Sequence, residues 1–358
     1  MNIKTLTLQN FRSFAKKEID FDEGVTIIVG QNTAGKTNIL EAVYLLSTGH
    51  SFRADVEQEM IQTQEDLARV IGQIVLPDTK LTLEVVLTRG IIHGSKVPRK
   101  KISINGASKL FSTFVGNLKT VLFGPWDMDL VNGSPGIRRR VLDTICSQTD
   151  REYRRSLLSY EKGLRQRNRL LTRIREGEAK TSQLLFWNTL LIKNGEYITK
   201  TREEFINFVN MTPPLNEEVL RLEYDNSVIS PSRIEEYSER EIAAGVTLVG
   251  PHRDDFKFRS HSSLHSSGQA QGWRDLGVYG SRGEQRMAVL WLKLAELSYI
   301  EGKTQEKPVL LLDDVFSELD QKHQGIVMNI VDRQQTIITT ADPHAIEGWK
   351  GRAKIIKF

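Results

Sequence analysis

The chain has a single cysteine, Cys146, in 358 residues. That excludes an internal disulfide and any cysteine-cluster zinc site, and it fits a reducing compartment. No run of about 18 apolar residues occurs, and the opening MNIKTLTLQNFRSF lacks the apolar stretch of a secretory leader. A cytoplasmic protein without a membrane partner is therefore expected. Internal repeats are missing, and only residues 260–271 are low in complexity. What is present, 39% apolar and 26% charged residues, describes a soluble chain with ample core and more than one domain's length.

Charge is unevenly placed. Residues 138–175 hold twelve Lys/Arg against four acids, a net +8, while the whole chain is only +4. Such a segment is either an electrostatic footprint for a polyanion or a solvated helix pair whose arginine stems pack along the surface.

Hydrophobic spacing predicts strands at 2–9, 16–21 and Val25–Val29, a helix starting at Lys36, and a β-meander over 67–104. A further strand is expected at Thr120–Phe123. The period then becomes helical. Tyr153, Leu157, Tyr160, Leu164, Leu171 and Ile174 mark one stripe, broken by Arg167, and Leu184, Trp187, Leu191, Ile198, Phe205 and Phe208 mark a second. A short polar link joins them, so an antiparallel helical hairpin is expected. A helix at about 283–299 and strands at 309–312, 336–339 and 353–358 follow. The fold class is thus α/β, one unit with an antiparallel β-meander that is interrupted by a helical insertion. Lobe I would comprise 1–125 and 246–358. The inserted helical lobe II would be 126–245, with its arm at about 138–210.

The segment Gly30-Gln31-Asn32-Thr33-Ala34-Gly35-Lys36-Thr37 fits G-x-x-x-x-G-K-[ST] between a strand and a helix. Glycines let backbone N–H groups converge on phosphate, Lys36 reaches the β/γ-phosphates, and the Thr37 hydroxyl ligates Mg²⁺. The helix start adds its dipole to the anion site. The buried run Pro308-Val309-Leu310-Leu311-Leu312-Asp313-Asp314 would deliver Asp313 to the Mg²⁺ shell, with Asp314 where a base or water-orienting group belongs. Ser281, in Gly280-Ser281-Arg282-Gly283-Glu284-Gln285, precedes a helix and is either a plain N-cap or part of a second anion site. His252-Arg253-Asp254-Asp255 is read as an ion-paired turn at the lobe junction rather than a metal site, since one histidine beside adjacent carboxylates makes a poor ligand set. Trp126, Trp187, Trp273, Trp291 and Trp349 are scattered and read as core or interface.

With Ser281-Arg282-Gly283-Glu284-Gln285 about 25 residues before LLLDD, and Ser317-Glu318-Leu319-Asp320 after it, the chain resembles ABC-type ATPases. Asn32, the turn Asn10-Phe11-Arg12-Ser13-Phe14, VGPHRDDF and GSPGIRRRVLD make it similar to the SMC-like RecF family. That resemblance implies an ABC-type ATPase head with a short antiparallel coiled-coil arm, binding ATP and Mg²⁺. Two copies would dimerise on ATP, Ser281 of one meeting the γ-phosphate held by Lys36 of the other, with slow, DNA-stimulated hydrolysis releasing them. It further implies binding to gapped or single-strand/double-strand junction DNA and work with RecR and RecO in recombinational repair and the SOS response. Arg12, Gly30 to Thr37, Ser281, Gly283 and Gln285 would contact nucleotide. Lys36, Asp314 and Ser281 would serve hydrolysis, with Thr37 and Asp313 on the metal. DNA is expected along Arg138, Arg139, Arg140, Arg151, Arg154 and Arg155. Three departures stand out: Asp314 replaces the usual glutamate, no glutamine lies between Gln73 and Gln148, and His344 falls four residues beyond the usual switch histidine. An ABC transporter subunit and a small-molecule P-loop kinase are the alternatives. This chain's missing switch histidine, its Asn32 loop and its basic helical arm argue against the first, and the second leaves the serine-led helix unexplained.

Overall fold

The computed structural model describes residues 1–92, 94–215, 219–261, 272–317, 321–342, 348–349 and 351–358. Two compact units result, residues 1–126 with 300–358, and residues 127–299.

In the first unit, the chain runs β1 (Asn2–Phe11), β2 (Phe14–Asp20), β3 (Val25–Val29), α1 (Lys36–Thr48), β4 (Leu67–Val75), β5 (Lys80–Thr88), a small hairpin β6 (Ile91–Ile92) and β7 (Ser95–Lys96), β8 (Lys100–Ile104), β9 (Ala107–Ser108), α2 (Phe111–Phe114) and β10 (Thr120–Phe123). β3 is β-branched throughout and buried at every residue, as a strand covered on both faces must be. It belongs to a parallel sheet whose order is given below. β1 and β4, by contrast, alternate between buried and open positions and lie in an antiparallel sheet of order β2-β1-β4-β5-β8-β9. Side chains of both sheets and of α1, among them Leu6, Ile28, Leu40, Val43, Leu46, Val85 and Leu311, share one core.

The second unit follows, as α3 (Asp129–Asn132), α4 (Pro135–Thr149), α5 (Arg151–Arg175), α6 (Leu185–Met211), β11 (Val219–Asp225), α7 (Pro231–Ala244), β12 (Asp255–His261), β13 (Arg274–Asp275), α8 (Leu276–Tyr279) and α9 (Arg282–Thr304). Asp150 caps α5 by accepting from Glu152 N, and Ser230 with Pro231 opens α7. α5 and α6 pair antiparallel: Tyr197 donates to Asp150 near one end, and Arg167 donates to Asn188 near the other. The chain then returns to the first unit with β14 (Val309–Asp313), α10 (Gln321–Val331), β15 (Thr336–Thr340) and β16 (Ala353–Lys357). These complete the parallel sheet in the order β10-β14-β15-β3-β16.

One expectation is corrected. The insertion does not end at 245 but at 299. The three-stranded sheet β11-β12-β13 turns Leu220, Leu222, Phe256 and Phe258 into one core with Leu191 and Phe205 of α6 and Trp291 and Leu292 of α9, so residues 246–299 fold with the helices. Arg167, which interrupts the apolar stripe of α5, is turned into the lobe. It is 1% exposed, and its guanidinium meets Glu241 at 2.6 Å, Asn188 at 2.7 Å and Thr247 at 2.8 Å. The hairpin is accordingly anchored in its own lobe by a buried ion pair. Of the tryptophans, Trp291 and Trp349 are core and Trp126 stacks on Phe52, whereas Trp273 is 38% exposed beneath Arg221. Residues 262–271 of the low-complexity stretch, Glu318 to Asp320 after the second acidic motif, and His344 lie outside the described residues.

Candidate nucleotide site

The glycine loop bridges the end of β3 and the start of α1, and its shape is locally enforced. Gly35 adopts φ +91°, a left-handed conformation unfavourable for any residue with a Cβ. A Cβ there would also lie 2.7 Å from the Phe14 ring and 2.9 Å from Ser13 Oγ, so the turn between β1 and β2 is seated directly against the loop. At Gly30, a Cβ would meet Phe358 and Ala34. Lys36 is folded back, its Nζ donating to the carbonyls of Gly30 at 2.8 Å and Gln31 at 2.9 Å. Its ammonium is thus held inside the loop's curve, where an anion would draw it off those carbonyls.

Thr37 comes one residue later and faces β14. Its hydroxyl donates to Asp313 Oδ2 at 2.8 Å and lies 3.1 Å from Oδ1. Asp313 is 5% exposed and also accepts from the Thr339 hydroxyl of β15. A hydroxyl and a buried carboxylate form an all-oxygen donor pair, which suits a hard divalent cation such as Mg²⁺. Asp314 follows in the left-handed region, φ +51°, its N–H donating to Thr339 O. A non-glycine residue held there marks strain of the kind that collects at functional positions.

Arg12, expected at the nucleotide, is placed beside the loop but engaged elsewhere. Its guanidinium spans both oxygens of Glu41 on α1 at 2.7 and 2.9 Å and donates to Glu59 O. Sequence reasoning assigned Glu41 no role. Nothing in the pattern marks it, since a glutamate in a helix reads as surface, yet it is fully buried. Arg53 and Ser51 bind the same carboxylate.

The serine-led helix start belongs to the second unit. Ser281 forms a capping box with Glu284: its Oγ accepts from Glu284 N, and Glu284 Oε2 accepts from Ser281 N at 2.7 Å. Ser281, Arg282 and Gly283 are exposed, so this helix start is not buried within its own lobe. Gln285 corrects the expectation of a nucleotide contact. It is 7% exposed and bonded to Asn132, Leu276 O and Gly280 O, holding the turn before α9.

Among the arginines expected at DNA, Arg138 and Arg154 are corrected as well. Arg138 makes a two-pronged pair with Asp255 at 2.6 and 2.9 Å, and Arg154 bonds Ser147 O; both are buried. Their guanidinium groups tie α4 and α5 into the lobe and cannot reach a polyanion. Arg139 is half-buried and donates to Asp254 O, while Arg140, Arg151 and Arg155 are exposed. The His252 turn is ion-paired as expected, but it lies within the second unit and not at a junction of lobes. Asp254 is fully buried and accepts from Arg202, Tyr224 and Ser227 N, and Arg202 also binds Asp143.

Glycine loop, threonine–aspartate pair and five-stranded parallel sheet together define the class: a P-loop ATPase head carrying an inserted lobe. The chain belongs to the RecF/RecN/SMC N terminal domain family, whose model matches residues 2–357. It is 37% identical to the DNA replication and repair protein RecF of Roseiflexus castenholzii, over 95% of this chain and 93% of that one. To the protein of the same description from Bacillus cereus it is 34% identical, over 97% and 94%. A solved structure of the recombination mediator protein RecF–ATP in the RecFOR pathway matches with a TM-score of 0.85 at 32% identity, covering 96% of this chain and 93% of that one.

Proposed function

We propose that the chain is an ATP-dependent DNA-binding protein of recombinational repair. It binds ATP at the glycine loop, and two copies close around it, each supplying Ser281 to the other's γ-phosphate. One observation carries the nucleotide reading: Thr37 and Asp313, 276 residues apart, meet at 2.8 Å beside a lysine curled into the loop. Lys36 would move to the β/γ-phosphates, and Mg²⁺ would be held by Thr37 and, through water, by Asp313. A bound Mg²⁺ supplies charge neutralisation on the phosphates. Asp314 would orient the attacking water. Its carboxylate is one methylene shorter than glutamate, which suits slow turnover in a release switch. The relatives' names and the RecFOR pathway of the matched structure support a repair role. In this reading RecR and RecO would be its partners, and gapped or junction DNA its substrate.

DNA would follow the open side of α5. Arg151, Arg155, Lys162, Arg165, Arg169 and Arg173 are all exposed at intervals of three, four or seven residues. Arg155 to Arg173 span about 27 Å of helix. Such a stripe matches a phosphate backbone and carries no sequence information. Light scattering of the parent and of Lys36→Met, with and without ATP, tests the sandwich. Mass should double with ATP in the parent alone; a parent whose mass ignores ATP would refute it.

A further inference from the structure

Glu41 occupies the second turn of α1, four residues after Thr37, and is inaccessible to solvent. Three side chains from two separate segments converge on its carboxylate. Arg12, from the turn between β1 and β2, spans both oxygens. From the segment after α1, Ser51 donates at 2.5 Å and Arg53 at 2.9 Å. Arg53 also donates to Asn38 Oδ1 at 2.7 Å, and Asn38 Nδ2 donates to Ser13 Oγ at 2.9 Å. The bonds thus form a closed circuit around the first two turns of α1: Glu41, Arg12, Ser13, Asn38 and Arg53. Ser13 and Phe14 are the groups that sit against Gly35.

Burial alone would raise the Glu41 pKa. Hydrogen bonds from Arg12 and Ser51, with the charges of Arg53 and Arg12, hold it below its ordinary value instead, so the group is ionised at neutral pH. The turn it restrains is itself unusual. Asn10 and Arg12 both take positive φ, +49° and +51°, a conformation that side chains with a Cβ keep only when their surroundings impose it. The Arg12 N–H to Met60 O bond and the Gln62 N–H to Asn10 O bond hold this backbone, and the Glu41 carboxylate holds the Arg12 guanidinium beside it.

We propose that Glu41 is a positioning residue for nucleotide, holding Arg12 and the Ser13–Phe14 turn in one geometry against the phosphate loop. The inference rests on the ATP-binding reading above. Glu41 touches no nucleotide; it acts through Arg12, which keeps two guanidinium N–H groups beyond the three bonds described. A carboxamide at position 41 cannot accept from both Arg12 nitrogens and Arg53 at once, so the turn would be released while the helix keeps its length and packing.

Steady-state hydrolysis by the full chain with ATP and Mg²⁺, with unfolding midpoints measured alongside, provides the test. Glu41→Gln should raise the KM for ATP about tenfold and change kcat less than about twofold, the pattern of lost uniform binding. Arg12→Gln should do the same, and the double variant should be no worse than the worse single, because both remove one interaction. Glu41→Asp, which keeps the charge, should recover part of the loss and also guards against a Gln variant that does not fold. Glu84 is the control for stability alone. It lies on β5, two strands from β1 in the antiparallel sheet, and accepts from Arg69 and Ser103 of the neighbouring strands. Glu84→Gln should leave the KM unaltered. An unchanged KM in both Glu41 variants, additive losses with Arg12→Gln, or an equal rise in Glu84→Gln would each overturn the proposal while ATP binding stood. A parent that neither binds nor hydrolyses ATP would overturn the underlying reading as well.

Discussion

His252 shows how much a single side chain of the second unit is constrained. Its Nε2–H donates to Thr247 O and its Nδ1 accepts from Tyr160 O–H at 2.8 Å, which fixes the neutral tautomer. Gly250 permits this approach: φ there is +123°, and a Cβ would lie 2.2 Å from the Tyr160 oxygen. Burial, with Arg253, Arg139 and Arg167 nearby, lowers the His252 pKa to about 4, against a partial opposing pull from Thr247 O. A folded-state pKa below the unfolded value means the unfolded chain takes up the proton first. Stability from this group is therefore complete above about pH 6.5 and lost as pH falls towards 4, by up to about 3 kcal/mol. Denaturant melts at intervals across that window should show the fall in the parent and a smaller one in His252→Gln. Identical profiles would place the titration elsewhere.

At the scale of elements, α5 divides its arginines between two tasks. Arg154 and Arg167 face inward, and Arg151, Arg155, Arg165, Arg169 and Arg173 face out. Removing one partner of a buried pair strands the other's charge, so Arg167→Met should destabilise the second unit by about 3–5 kcal/mol in urea unfolding. Adding Glu241→Leu should return much of that, because the stranded carboxylate is gone. On the outer side, Arg165→Gln with Arg169→Gln should weaken binding to gapped DNA and reduce the slope of log affinity against log salt by about two. Arg138→Gln, at a buried pair, should alter stability and leave the slope unchanged. The sequence made the helix and its basic excess plain, because composition and the 3.6-residue period are local properties. Which arginines turn inward was hidden, since their partners Asp255, Glu241 and Ser147 come from other elements. The same limit explains Gln285, taken for a nucleotide contact from motif position alone, and Glu41, whose three partners lie 10 to 29 residues away. Gly30 to Thr37 and Asp313 were legible because the chemistry of a phosphate loop dictates residue types at fixed spacing.

For the whole molecule, architecture was readable where strands are short buried runs, as in β3 and β14, and less so where a sheet belongs to the inserted lobe. β11 and β12 alternate as strands of any antiparallel sheet do, and nothing in their own sequence tells which core receives them. Packing against α6 and α9 decides it. This division of the chain bears on how the molecule comes into being. β3 carries the glycine loop, and β10 is the other member of the parallel sheet made before residue 127, but the two are not neighbours. Each finds its partners only in β14, β15 and β16, synthesised after the whole 127–299 unit. On the ribosome, then, the lysine-bearing loop emerges early and waits, without Asp313 to face it, while the second unit is free to fold around its own core. Competence for nucleotide would then come late, so a product truncated before residue 309 should carry the basic helix yet fail to engage ATP.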